Sequence, residues 1–133
     1  MKLKIELPSK PIPWNRAGHT KNFFYDTQFN LKKNIRNYVK ENYSIPLIPV
    51  SEALRVTYLF EFCIPKSWSK KKKIAFKDKY HKNTPDTTNC MKFIEDTFND
   101  FIYVDDKQIA STSADKIWSE RDCITIIIEV LEY

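Results

Sequence analysis

Six acidic side chains crowd residues 83–109: Asp86, Glu95, Asp96, Asp100, Asp105 and Asp106, with only Lys92 and Lys107 to oppose them. Carboxylates brought together repel, and a hard cation among them relieves the repulsion. Mg²⁺ suits such a group because it favours carboxylate oxygen and water. Held by Asp86, Asp96 and one of Asp105 or Asp106, it would lower the pKa of a bound water. It would also stabilise charge on a phosphodiester undergoing in-line displacement. Lys92 precedes Asp96 by four residues, so on a helix the two share a face. There its ammonium would neutralise the non-bridging oxygens of a pentavalent transition state.

The preceding residues, 65–82, carry eight lysines and a single acid, Asp78. That is a local charge of +7 in a chain whose net charge is +5. So concentrated a patch points to a polyanion, with Lys70, Lys71, Lys72 and Lys73 tracking a DNA backbone. Carboxylates would then hold the metal and lysines the substrate. A plainer reading stands beside this one. Asp86 caps a helix, Lys92 and Asp96 form a surface pair worth about 0.3–0.5 kcal/mol, Asp105 and Asp106 make a turn, and the lysines are a solvated loop. Spacing alone leaves both open.

These residues need a scaffold, and the hydrophobic pattern outlines one. Residues 2–7 alternate as a short strand, with Leu3, Ile5 and Leu7 on one side. A loop with three prolines and the only glycine, Gly18, follows, carrying Lys10, Arg16 and Lys21. Helical spacing of Leu31, Ile35, Tyr38 and Val39 predicts a helix over 27–42, capped by Asp26 or Thr27. Residues 54–64 alternate as a strand with one face on a core. The lysine segment is expected to be a long loop. A second helix over 88–100 carries the stripe Met91, Ile94 and Phe98. A weakly apolar strand over 107–119 belongs near a sheet edge, and the β-branched run from Cys123 closes the fold. The expected order is β-α-β-α-β-β, an α/β (α+β) two-layer sandwich with helices against one mixed sheet.

The bulk numbers fit one domain over 1–133. Apolar residues make up 42%, enough for a core, which argues against disorder. No apolar run reaches the ~20 residues of a membrane span, and no secretory signal is evident, so we expect a cytoplasmic protein. Cys63, Cys90 and Cys123 are odd in number, and none forms a C-x-x-C pair or neighbours His19 or His81. Buried free thiols are the expectation, not a disulfide or zinc framework.

Together these residues resemble the RusA-type Holliday junction resolvases, endonucleases often encoded by phages or prophages. The family pattern P-D-x-D-N, a Lys three residues on, a further Asp and D-D-x-Q-[IV] reads here as Pro85-Asp86-Thr87-Thr88-Asn89, Lys92, Asp96 and Asp105-Asp106-Lys107-Gln108-Ile109. The upstream lysine run and the N-terminal Pro/Arg loop are also similar. The resemblance implies a Mg²⁺-dependent homodimer, with Mn²⁺ as a possible substitute, that nicks opposed strands of a four-way DNA junction. It implies catalytic roles for Asp86, Lys92 and Asp106, metal binding by Asp86, Asp96, Asp105 and Asp106, and DNA contacts from Arg16 and the lysine segment. One position departs. Thr88 stands where the family has its second aspartate, and a hydroxyl is a poorer metal ligand. Glu95 or Asp96 could compensate; otherwise the chain is a junction binder of weakened activity. Trp68, Phe23, Phe24 and Tyr25 are candidates for stacking at an opened junction or for packing on a partner subunit.

Overall fold

A computed structural model describes residues 1–16, 18–19 and 24–131. Its centre is a four-stranded mixed sheet in the order β1-β6-β4-β5, built from β1 (Lys2–Leu7), β4 (Leu54–Cys63), β5 (Ile109–Ser119) and β6 (Cys123–Val130). The alternation in β4 does what its period requires: Leu54, Val56, Tyr58, Phe60 and Phe62 are buried. Ile124, Ile126 and Ile128 of β6 and Ile5 and Leu7 of β1 continue the same core. Helices α1 (Phe29–Asn42) and α3 (Thr87–Phe98) cover it with Ile35, Val39, Cys90, Phe93, Ile94 and Phe98. The mixed α+β architecture expected from the pattern is thus present.

Three features extend or correct that expectation. A short antiparallel pairing of β2 (Gly18–His19) with β3 (Phe24–Tyr25) lies in the proline-containing loop. The lysine segment is not all loop, because it contains α2 (Lys70–Phe76). Ser69 caps that helix, its hydroxyl accepting from the Lys72 amide at 3.2 Å. Finally, α1 begins later than expected, at Phe29, with Gln28 at its N-cap and no side-chain cap bond. Asp26 instead accepts from the Gln28 amide at 2.8 Å and pairs with Lys32 at 2.8 Å.

The expected edge strand is at an edge, but its pairing is non-local. β5 runs parallel to β4, while β6 inserts antiparallel between β1 and β4. The turn after Ser119 therefore carries the chain past β4. Residues 78–81 protect the outer side of β5: Asp78 N donates to Trp118 O, Trp118 N to Lys79 O and His81 N to Lys116 O, at 2.8–3.0 Å. No helix among the described residues is long and apolar enough to cross a membrane.

Candidate active site and DNA-facing surface

Helix α3 organises the candidate site, and its two ends hold different parts of it. Asp86 is the N-cap residue, with extended backbone, yet its carboxylate makes no capping hydrogen bond. It is exposed at the positive end of the helix dipole, where a negative charge is favoured. Thr88 follows in the first turn and is also exposed.

Lys92 does not meet Asp96 as the i,i+4 spacing suggested. Its ammonium lies over the indole of Trp14, 3.7 Å from the ring centroid, and no Lys92–Asp96 ion pair is present. The N-terminal loop is tied down for this contact. Trp14 N donates to Asn89 O at 2.9 Å, Asn15 N to Gln28 Oε1 at 3.0 Å, and Gln28 Nε2 to Pro13 O at 2.9 Å. Gln28 is buried, so it fastens the loop from within.

The other carboxylates gather at the far end of α3. Asp100 takes a left-handed conformation, φ 56°, and turns the chain, as the Asn99-Asp100 pair allows. Val50 then pairs with this segment, its N–H donating to Ile102 O at 3.0 Å and its carbonyl accepting from Val104 N at 3.1 Å. Asp105 caps a 3₁₀ turn, Asp106–Gln108, by accepting from Lys107 N at 2.8 Å. Gln108 Oε1 accepts from Asp105 N at 2.8 Å, and Gln108 Nε2 donates to Val50 O and Glu52 O, each at 2.9 Å. The expected turn role of Asp105 is therefore real. Asp106 sits beside Asp105, Asn99 and Asp96. Burial first, then the neighbouring Asp105, pushes the Asp106 carboxyl up; the Asn99 amide opposes this. Burial and the charges of Asp106 and Asp96 raise Glu95 as well, with Lys92 opposing.

Beneath this acidic end lie groups that the sequence did not mark. The phenols of Tyr58 and Tyr103 are buried and strongly raised, by desolvation and then by neighbouring groups that include Glu95 and Asp106. Tyr103 Oη donates to Glu95 O at 2.9 Å. Tyr58 Oη and Asn99 Oδ1 are buried without a hydrogen-bond partner among the described residues. Tyr58 looked like an ordinary strand residue, and only the shared core of α3 and the sheet places it here.

The expected metal ligands do not converge in one chain. Asp86 and Asp96 are ten residues apart on α3, about 15 Å along its axis at 1.5 Å per residue. Asp106 lies at the Asp96 end. No group of three or more His, Cys, Asp or Glu able to hold a metal occurs among the described residues. A site drawing on Asp86, Asp96, Asp105 and Asp106 together does not fit a single subunit.

The basic surface is more coherent. In α2, Lys70, Lys71 and Lys72 are exposed and Lys73 half-buried. Trp68 props the helix: its ring meets Phe76 at 5.4 Å and Trp118 at 4.9 Å, with the Lys72 ammonium 4.0 Å above it. This indole is thus engaged within its own chain. Lys77 pairs with Glu120 at 3.1 Å and is partly neutralised. Arg16 is exposed. Phe23 lies outside the described residues, and Phe24 and Tyr25 form β3. The three thiols are free, with Cys90 and Cys123 buried and Cys63 exposed.

Comparison with known families gives one result. The family model described as Endodeoxyribonuclease RusA matches residues 8–129. No curated protein matches the chain.

Proposed function

Because the chain belongs to the RusA endodeoxyribonuclease family, whose members act on branched DNA junctions, we propose that it resolves four-way junctions by paired nicks in opposed strands. It acts as a homodimer and depends on Mg²⁺, with Mn²⁺ as a substitute. The observation that carries this reading is Asp86, a residue type suited to capping that leaves its carboxylate uncommitted and exposed at the start of α3.

In this reading the chain's own groups have separable tasks. Lys70, Lys71, Lys72, Lys73 and Arg16 bind the DNA backbone as a sequence-independent electrostatic track. Lys92, held over Trp14, supplies a localised positive charge for a phosphate oxygen. Asp86 and Asp106 are the catalytic carboxylates. Burial and the neighbouring carboxylates raise Asp106 and Glu95, so a positive charge beside this acidic end is favoured. Two symmetric cuts require two sites, and a C₂ dimer matches the symmetry of the junction.

The deciding experiment incubates the protein with a labelled four-way junction and a linear duplex of the same sequence, with Mg²⁺ or with chelator. Symmetric cuts in the junction, in Mg²⁺ alone, are expected, and sedimentation should give twice the chain mass. Thr88, exposed in the first turn of α3, favours a second reading, a dimeric junction binder with weakened chemistry. Tight junction binding with no cleavage in Mg²⁺ or Mn²⁺ would establish that reading instead.

A further inference from the structure

Lys116 belongs to the edge strand β5, yet only 9% of it is exposed. Among the described residues, no carboxylate lies within ion-pair distance of it. Its ammonium instead donates to two backbone carbonyls, Asn83 O and Pro85 O, the second at 2.6 Å. A buried cation without a counter-ion is expensive unless its donors are satisfied. Here two of its three N–H donors are satisfied by the segment that leads into Asp86.

That segment is drawn over Lys116 by several independent contacts. His81 N donates to Lys116 O at 2.8 Å, closing the strip along the edge of β5. The His81 ring stacks on Trp118 at 4.0 Å, and its Nδ1 accepts from Asn83 N at 3.2 Å. Residues 81, 83 and 85 are thus each fixed to β5 or to one another, and the next residue is Asp86. The Cys90 thiol, in the following turn, is raised mainly by burial; beyond that it feels the charges of both Lys116 and Asp86. Lys116 and the catalytic carboxylate therefore flank the same turn of α3.

We propose that Lys116 is a positioning residue for DNA cleavage: it pins the carbonyls of Asn83 and Pro85, so that Asp86 enters α3 with its carboxylate turned outward and not folded back as a cap. The inference rests on the reading of Asp86 as a catalytic group. Any reaction that uses the Asp86 carboxylate then depends on an ammonium that never touches DNA. A small displacement of a reacting group costs rate steeply, on the order of 10²-fold for 1 Å.

The test uses Lys116→Gln and Lys116→Met in the full chain, with Lys116→Arg as the variant that restores a cationic donor. Junction affinity should stay within about threefold of wild type, and the single-turnover cleavage rate at saturating protein should fall about 10²-fold. Arg should recover part of that loss. A merely structural lysine would lower the thermal midpoint and leave the saturated rate per folded molecule unchanged, which would overturn the proposal. A second readout is independent of activity. In the NMR spectra of selectively labelled protein, the Asp86 amide and carboxyl resonances should move in Lys116→Gln while those of Asp106 stay in place. Unmoved Asp86 signals would also overturn it, whatever the rates. A wild-type protein that binds junctions without cutting them would refute the nuclease reading alone, and the NMR comparison would still decide the role of Lys116.

Discussion

Lys92 reaches across from α3 to Trp14, placing its ammonium 3.7 Å from the centroid of the indole. A cation over an aromatic face at a partly exposed position gains about 0.5–1 kcal/mol, enough to bias a long side chain toward one orientation. Lys92→Met should lose at least 10²-fold in cleavage rate with little change in junction affinity. Trp14→Leu keeps the charge and removes its platform, so its rate should fall only a few-fold. The double variant should be no slower than Lys92→Met alone. An additive double variant would mean that Trp14 acts on the reaction independently of Lys92.

Asp86 and Asp106 occupy opposite ends of α3, and this makes their partnership testable. Asp86→Asn and Asp106→Asn should each abolish cleavage and leave junction binding intact or tighter, because a negative charge near phosphates is removed. Mixing the two inactive proteins and allowing subunits to exchange should restore nicking of one strand. In such a heterodimer, one site formed between subunits would keep both carboxylates. If each site lay wholly within one subunit, both would be defective and the mixture would remain dead. Nick counting on a labelled junction reads the difference.

The α2 lysines should behave as phosphate ligands. Replacing Lys70, Lys71 and Lys72 by Ala should weaken binding to junctions of every sequence alike. The slope of log K against log salt should flatten by about 0.9 for each duplex phosphate that is no longer neutralised. An unchanged slope, measured by fluorescence anisotropy across a salt series, would show that these side chains only solvate the surface.

Thr88 marks the position where a carboxylate would be least costly, in the exposed first turn beside Asp86. Thr88→Asp should lower the Mg²⁺ concentration needed for half-maximal cleavage, since added anionic oxygen strengthens binding of a hard cation. A Mg²⁺ titration with neither midpoint nor maximal rate altered would mean that residue 88 does not face the metal.

Glu95 carries a pH prediction. Its carboxyl is raised in the folded chain, by burial and then by Asp106 and Asp96. A raised folded value means the native state holds this proton more firmly than the unfolded chain. The contribution is therefore fully present below the unfolded value of about 4.3. It is lost as pH climbs through the raised one. Glu95→Gln should raise the urea midpoint at pH 7, modestly, because Glu95 is only half-buried and solvent screens its charge. At pH 4 the gain should be much smaller. An equal gain at both values would place the effect in packing.

Several parts of this protein could be read from the sequence because each is a local pattern. The alternation of β1 and β4 and the β-branched run of β6 identify strands whose buried faces are set by a period of two. The spacing of Ile94 and Phe98 identifies the buried face of α3, and Asn99-Asp100 its turn. The motif from Pro85 to Ile109 named the family by residue type alone. The tertiary structure decided what depends on distant segments. β5 pairs with β4 although β6 follows it directly, because strand neighbours are chosen by packing and not by chain order. α2 is a helix only seven residues long, too short to persist through propensity alone. Its Ser69 cap and the contacts of Phe76 and Lys72 with Trp68 supply what it lacks. Lys92 is turned from Asp96 by Trp14, a residue 78 positions earlier. The carboxylates are divided because the chain leaves α3 through a short turn that Val50 fixes in place, so Asp106 returns to the C-terminal end of the helix and never reaches Asp86. Lys116 had no sequence signal, since one lysine in an edge strand ordinarily faces water; only the strip laid along β5 buries it against the approach to Asp86.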